Sequence, residues 1–440
     1  MVMRNFVLGV AALFSATAAQ ASPVLLISLD GLRPADIVHA EERGLKVPHL
    51  RALMKEGAYA EGVTGVLPTL TYPSHTTLIT GKSPAQHGIG NNLSFDPLQI
   101  NQQGWDWYAA DIKVPTLWDA AHAKGLKTAN VHWPVSVGAA SIDENLPQIW
   151  RTGHADDRKL LAALATPGLL LPLEKMLGPY PQGIDEAVEG DAIRARFAAA
   201  IITRDKPDFT TVYLAGIDHE QHHSGPGSDA SKTAIEATDA IVGDLVAAAQ
   251  RAMPDVTVAV VSDHGFAPIT TDINIIKAFI DEKLITLGKD GKIASWEAEP
   301  WLAGGTAAVV LARPDDAGLV ARVAALLDRM KADLDYHVMT ILDATRIAAA
   351  GGPAPASFLI ALQPGYETGR DPAAPKLSPS VYKGMHGYLP ELPEMQSTLI
   401  VAGPHLARRG NLGVVDMRAI APSLANILGV SLNGEVPTAF

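Results

Sequence analysis

The chain contains several short, continuously apolar runs that stop at an aspartate, and these limit its fold more than any other feature. "PVLLISLD" (23–30), "FTTVYLAGID" (209–218) and "VTVAVVSD" (256–263) each read as a strand, with Asp30, Asp218 and Asp263 at their ends. "KTANVHW" (127–133) and "STLIVAG" (397–403) are two further runs of this kind. Between them lie helical patterns: 114–125, a long amphipathic stretch over 229–253, and a closing helix near 416–429. A strand without polar alternation is buried on both faces, so the predicted fold is α/β, a mostly parallel sheet sandwiched by helices. The stretch 269–380 breaks the rhythm with a strand at 306–314, a helix at 318–333 and a Pro/Gly-rich loop over 351–375. It reads as a small cap subdomain inserted into one domain spanning 22–440.

The 440 residues are 48% apolar and 19% charged, ample for a buried core. A net charge of −12 excludes a surface built to coat nucleic acid, which needs dense Lys/Arg contacts to phosphate. It leaves room for a small phosphorylated substrate, because bound metal can dominate the charge of a site. With no Cys, neither disulfides nor thiolate ligands are available. Arg4, an apolar stretch over Phe6–Phe14 and the Ala19-Gln20-Ala21 site predict a cleavable signal peptide over 1–21, and hence a periplasmic or secreted protein. The apolar run is shorter than the ~20 residues that span a bilayer, and no later segment is apolar for long enough to span one.

In open parallel sheets, ligands bind beyond the carboxyl ends of the strands. Each of the three aspartates has chemically suggestive company there. His222 follows Asp218 by four residues, His264 follows Asp263 at once, and "YKGMHGYLP" carries His386. Three carboxylates and three imidazoles make a mixed N/O ligand set suited to zinc or a similar divalent ion. Six ligands exceed the needs of one tetrahedral ion and match a paired-metal site. His219 and His223 are expected outside it. Thr71, just ahead of Tyr72 and Pro73, falls at the start of a helix running to about Thr80, where a hydroxyl meets free backbone N–H groups. Taken alone, Thr71 reads as an N-cap rather than as a nucleophile.

Several separated pieces together resemble one family. "LDG" (29–31), "PTLTYPSHTTLITG" (68–81), "HGI" (87–89), "WP" (133–134), "DHEQH" (218–222), "SDHG" (262–265) and "HGY" (386–388) occur in the order seen in nucleotide pyrophosphatases/phosphodiesterases of the alkaline phosphatase superfamily, in their compact bacterial form. The resemblance implies two Zn2+ per chain, one held by Asp218, His222 and His386, the other by Asp30, Asp263, His264 and the Thr71 hydroxyl. It implies Thr71 as a nucleophile that becomes phosphorylated, and Asn92, with Asn91 as the fallback, as donor to a phosphoryl oxygen. Where many members read Thr-Phe-Pro-Asn-His, this chain reads Thr71-Tyr72-Pro73-Ser74-His75, which alters the first turn of the helix.

Rival readings are a phosphomonoesterase of the same superfamily and a catalytically inactive binding homologue. Sulfatases mature a Cys or Ser beside an Arg, and this chain has no Cys and no Arg in 52–103. The related monoesterase branch carries a Lys and an Arg in the segment matching 130–145, which here holds neither. The substrate expected is therefore a phosphodiester or a nucleotide, its second ester group resting on Tyr72, Trp133 and Pro134.

Overall fold

The computed structural model describes residues 21–100 and 104–440. The expected signal segment 1–21 therefore lies outside the described residues, apart from Ala21. The centre is an eight-stranded sheet in the order Gly410–Asn411, Ala58–Tyr59, Leu399–Ala402, Thr257–Val261, Val24–Leu29, Phe209–Leu214, Thr128–Val131, Glu144–Leu146. Five of its seven pairings are parallel. Leu399–Ala402 runs antiparallel to both of its neighbours.

The apolar runs are continuous because the two faces of the sheet pack against different helices. Leu25, Ile27 and Leu29 join a core with Val212, Val258 and Val260, closed by the helices Val188–Asp205 and Asp229–Ala252. Val24 and Leu26 point the other way, into a core with Phe209, Ala259 and Val261. The helices Thr71–Thr80, Leu117–Ala123 and Ile420–Leu428 close that side. This is the period-two rule of a strand applied to a sheet covered on both faces.

The helix Thr71–Thr80 is buried at every position despite its polar composition. Its threonines are satisfied within the helix: Thr76, Thr77 and Thr80 donate to the carbonyls of Tyr72, Pro73 and Thr76 at 2.8, 3.0 and 2.7 Å. Gly81, at φ +67°, ends it as a left-handed C-terminal residue.

Between 271 and 379 the chain leaves this sheet. Strands Ala298–Ala303, Thr306–Leu311, Val338–Asp343 and Ala356–Leu362 form a separate antiparallel sheet. The helices Ile275–Asp281 and Ala317–Ala332 pack on it around Val309, Val323 and Ile360. The stretch expected as a Pro/Gly-rich loop over 351–375 is in fact broken by two strands, Ala356–Leu362 and Tyr366–Thr368. The glycines and prolines mark the turns between strands rather than one long loop. A second difference concerns 209–218. The strand ends at Leu214, and the helix Gly216–Ser224 already includes Asp218.

Candidate metal centre and nucleophile

Thr257–Val261, Val24–Leu29 and Phe209–Leu214 are adjacent and parallel, so their carboxyl ends share one edge. Asp30 and Asp263 leave directly from two of them, and Asp218 comes from the first turn of the helix after the third. Gly31 turns the chain away from Asp30 at φ +68°. A Cβ there would meet the Phe266 ring at 2.8 Å, so the LDG motif needs a residue without a side chain. The backbone N–H of Gly31 donates to Asp263 Oδ1 at 3.1 Å, fixing one carboxylate to the loop that carries the other.

Two groups of side chains stand close enough to share an ion: Asp30, Asp263 and His264, and Asp218, His264 and His386. His264 Nε2 lies 3.3 Å from Asp30 Oδ1, 3.2 Å from Asp263 Oδ2 and 3.5 Å from Thr71 Oγ1. His386 Nε2 is 3.7 Å and His222 Nε2 3.5 Å from the Asp218 carboxylate. His264 therefore stands between the two groups. His222 adjoins the second through Asp218, with its ring centroid 5.2 Å from that of His386. His223 is exposed and turns Nδ1 to the His219 carbonyl.

All three imidazoles are held the same way. His222, His264 and His386 each direct Nδ1 at a backbone carbonyl, of Gly384, Gly265 and Thr69, at 3.0, 3.2 and 3.0 Å. With that nitrogen protonated, each Nε2 presents a lone pair to the cluster, the arrangement that orients a histidine toward a metal. Burial first, then neighbouring imidazoles, hold His222 and His264 well below the ordinary histidine range. Burial brings His386 down to about 4.

The carboxyl groups are displaced in the opposite sense. Burial, then the charges of Asp263 and Asp218, push Asp30 well above the carboxylate range. Burial and then Glu186 do the same to Asp218, and burial brings Asp263 up to about 7. Asp30 Oδ1, Asp218 Oδ1 and Asp263 Oδ2 are buried without a hydrogen-bond donor. Orphaned carboxylate oxygens facing neutral imidazoles fit divalent cations, which supply the missing positive charge. Tyr213 holds the remaining Asp30 oxygen, Oδ2, through its hydroxyl.

Thr71 is the first residue of its helix, and its side chain opens onto the cluster at 8% exposure. His75, one turn on, ties this helix to the sheet, with Nδ1 at 2.7 Å from the Thr71 carbonyl and Nε2 at 2.8 Å from Ser28 Oγ. The two neighbouring asparagines differ. Asn91 donates to the Leu302 carbonyl at 3.0 Å and accepts from the Asn92 backbone, so its amide serves the fold. Asn92 accepts from the Tyr72 N–H at 2.9 Å, which sets its amide beside the start of the Thr71 helix.

The aromatic wall expected at Tyr72 and Trp133 has to be corrected. Trp133 has no exposed surface and packs edge-on against His75 at 4.9 Å. Tyr72 is 1% exposed, and its hydroxyl donates to Gln148 at 2.9 Å. Both rings fill core space. Open aromatic surface lies one layer further out. Trp105 stacks on Trp107 and packs 5.3 Å from Tyr72, at the wall of a cleft of about 550 Å³ that also takes in Asp106, Tyr108, Asp111 and Arg151. The Asp106 N–H donates to the Asn92 carbonyl at 3.1 Å, so the cleft borders the start of the Thr71 helix.

Sequence reasoning passed over the residues that brace the site from behind. Asp191, fully buried, accepts from the N–H groups of Ala215 and Gly216 at 3.1 and 2.7 Å and caps the helix that carries Asp218 and His222. Arg194, equally buried, donates to Asp191 at 3.0 Å. An i,i+3 Asp/Arg pair in a helical stretch was the only available signal.

Candidate metal ligands at the carboxyl edge of a parallel sheet, beside a threonine at a helix start, form an arrangement that phosphoryl transfer can use. The chain belongs to the type I phosphodiesterase/nucleotide pyrophosphatase family, whose model matches residues 24–389. It is 28% identical over 256 residues to human ectonucleotide pyrophosphatase/phosphodiesterase family member 1, covering 55% of this chain and 23% of that protein. It is 25% identical over 260 residues to venom phosphodiesterase 2 of Crotalus adamanteus, covering 57% and 28%. The matches thus span about a quarter of those relatives. The human ectonucleotide pyrophosphatase/phosphodiesterase 5 structure shares the fold at TM-score 0.67 and 18% identity, covering 94% of this chain and 97% of that one. An inactive murine form of the same protein, solved in complex with AMP, aligns at TM-score 0.66 and 17% identity, covering 95% and 97%.

Proposed function

We propose that this chain is an exported two-zinc phosphodiesterase that hydrolyses phosphodiester or phosphoanhydride bonds of small molecules, nucleotides included, through a phosphorylated Thr71. The observation that carries the reading is the meeting of three orphaned carboxylate oxygens, three outward Nε2 lone pairs and the Thr71 hydroxyl at one sheet edge. Asp218, His222 and His386 would hold one ion, and Asp30, Asp263 and His264 the other, with Thr71 beside it. When bound, two such ions supply charge neutralisation at the phosphoryl oxygens and an acidified Thr71 hydroxyl.

The chain's own groups do the rest. Thr71 Oγ1 forms the bond to phosphorus as the bond to the leaving oxygen breaks, and water then cleaves the phosphothreonine and restores the hydroxyl. Asn92 donates its amide to a non-bridging oxygen, held in place by the Tyr72 N–H. The second ester group rests in the cleft beside Trp105. No Lys or Arg occupies 130–145, which favours a singly charged diester over a doubly charged monoester. Residues 271–379 act as a cap over this edge through the loop carrying His386 and Gly387, whose missing Cβ lets the Ala303 carbonyl approach. Among the described residues no helix is long and apolar enough to cross a membrane.

The test is kcat/KM for an alkyl aryl phosphodiester against the matching aryl phosphate under identical metal and pH conditions, with elemental analysis of the same sample. A clear diester preference with two zinc ions per chain is expected. A monoester preference moves the chain to the phosphatase branch.

A further inference from the structure

Away from the metal cluster, a second cavity of about 240 Å³ lies where the segment after the first strand meets the start of the helix Asp229–Ala252. Arg33, Arg43 and Lys232 line it with Asp36, against the apolar side chains of Leu45 and Ile235. Arg33 donates through Nε and Nη2 to both oxygens of Asp36, at 2.9 and 3.0 Å. Arg43 donates Nη1 to Asp36 Oδ1 at 3.0 Å. The Asp36 side chain is 2% exposed, so this carboxylate works as a buried clamp on two guanidinium groups. Lys232 has only a loose neighbour, with its Nζ 3.8 Å from the fully exposed carboxylate of Asp229.

Three cations against the one carboxylate of the lining leave a surplus of two positive charges within it, opposed only from outside by the fully exposed Asp229, in a chain whose net charge is −12. A guanidinium has five N–H donors. Asp36 takes two from Arg33 and one from Arg43, and the remaining donors are held in a fixed direction by the same contacts. Arg43 and Lys232 are 40% and 36% exposed against 16% for Arg33, which places them at the mouth with Arg33 deeper. Such fixed donors reduce the ordering cost of binding an anion. The volume lies below the ~300–1,000 Å³ of sites for drug-sized ligands, so the occupant is small. A tetrahedral dianion matches the surplus charge and meets donors from several directions, whereas a planar carboxylate carries half the charge.

We propose that this cavity binds a small phosphate-type dianion, either inorganic phosphate or the phosphate group of a small monoester, bridged by Arg33, Arg43 and Lys232. The ligand ties the turn three residues after Asp30 to the helix that follows the His222 segment. Arg33 already approaches that junction, since a Cβ on Gly227 would stand 4.0 Å from its Nη2. The inference does not depend on the chemistry proposed for Thr71.

The experiment is equilibrium dialysis of radiolabelled inorganic phosphate with the metal-loaded enzyme, wild type against the double variant Arg43→Gln/Lys232→Gln. Wild type is expected to bind one more phosphate per chain than the variant, whatever the number held at the catalytic centre. Diester turnover without added phosphate should be equal in the two. Unlabelled phosphate and methyl phosphate, titrated side by side, should displace this extra phosphate while acetate does not, and the tighter of the two identifies the source. Equal stoichiometry in both proteins, or displacement by acetate at the same concentration, overturns the proposal. If the double variant lacks the wild-type thermal melt, Lys232→Glu replaces it, since Lys232 takes no part in the Asp36 clamp. That single change must weaken the extra phosphate at least tenfold, and an unchanged affinity refutes the site.

Discussion

Removing the metal should make the stability of this protein depend on pH in a way that the loaded protein does not. Burial raises the Asp263 carboxyl from 3.8 to about 7, so between these values the folded, stripped protein holds a proton that the unfolded chain has released. Stability then falls as pH rises, because the native state binds more protons than the unfolded state. Between pH 5 and 7 the linkage integral, at 1.36 kcal/mol per unit and with the folded group half deprotonated by pH 7, comes to about 2 kcal/mol for this group. Asp30 and Asp218 are displaced in the same direction and add to it. In the loaded protein the three carboxylates stay ionised across the range, and this dependence is absent.

The histidines act with the opposite sign, since a lowered folded pKa costs stability as pH falls below about 6.5. His386, brought down to about 4 by burial, stays neutral at pH 5 with or without metal, so its effect cancels in the comparison, and burial displaces His222 and His264 in the same direction. The same cancellation applies to Glu367, raised to about 8 by burial, because it is not among the candidate ligands. The quantity to measure is the gap in unfolding free energy between loaded and stripped protein, from urea titrations at pH 5, 6, 7 and 8. It should widen by about 2 kcal/mol or more between pH 5 and 7. A gap that is flat, or that narrows as pH rises, would refute the assignment of these buried carboxylates to a cation site.

Other substitutions divide the site into its parts. Thr71→Ala should abolish diester turnover while the metal content, read by elemental analysis, stays at the wild-type value; retained kcat would remove the covalent step. Asn92→Ala should lower kcat by about 10²–10³, or ~2.7–4 kcal/mol, as for loss of one oxyanion donor, while Asn91→Ala should act through thermal stability instead. Arg194→Met leaves Asp191 buried without its cation and should cost about 3–5 kcal/mol in a urea melt. A loss below ~1 kcal/mol would mean that the helix N–H groups alone hold Asp191.

How much of this was legible in the sequence depends on whether a residue's role is fixed by its neighbours along the chain or across space. The strands were legible because burial on both faces removes polar residues, as at Val24–Leu29, and their aspartates mark the edge where the sheet ends. The helix Val188–Asp205 was not, because Asp191 and Arg194 occupy the first part of its buried face and the apolar stripe begins only at Ala195. The strand Ala356–Leu362 was hidden by the turn residues on either side of it. At the site, the candidate ligands stand out because each sits in a short local motif: LDG, DHEQH, SDHG and HGY. What orients them does not, since the carbonyls of Gly384, Gly265 and Thr69 and the Tyr213 hydroxyl are defined only once the loops meet. Tyr72 and Trp133 show the converse error. Position beside a motif made them look like contact residues, yet the helix and sheet around them leave no room for a ligand, and the rings that reach the cleft are those of the half-buried Trp105 and the exposed Tyr108, more than thirty residues after Thr71. Proximity in sequence thus identifies groups that must meet a metal, because a metal accepts few residue types. It fails for the surface that meets the rest of a substrate, where any ring will serve and only packing decides which one is left open.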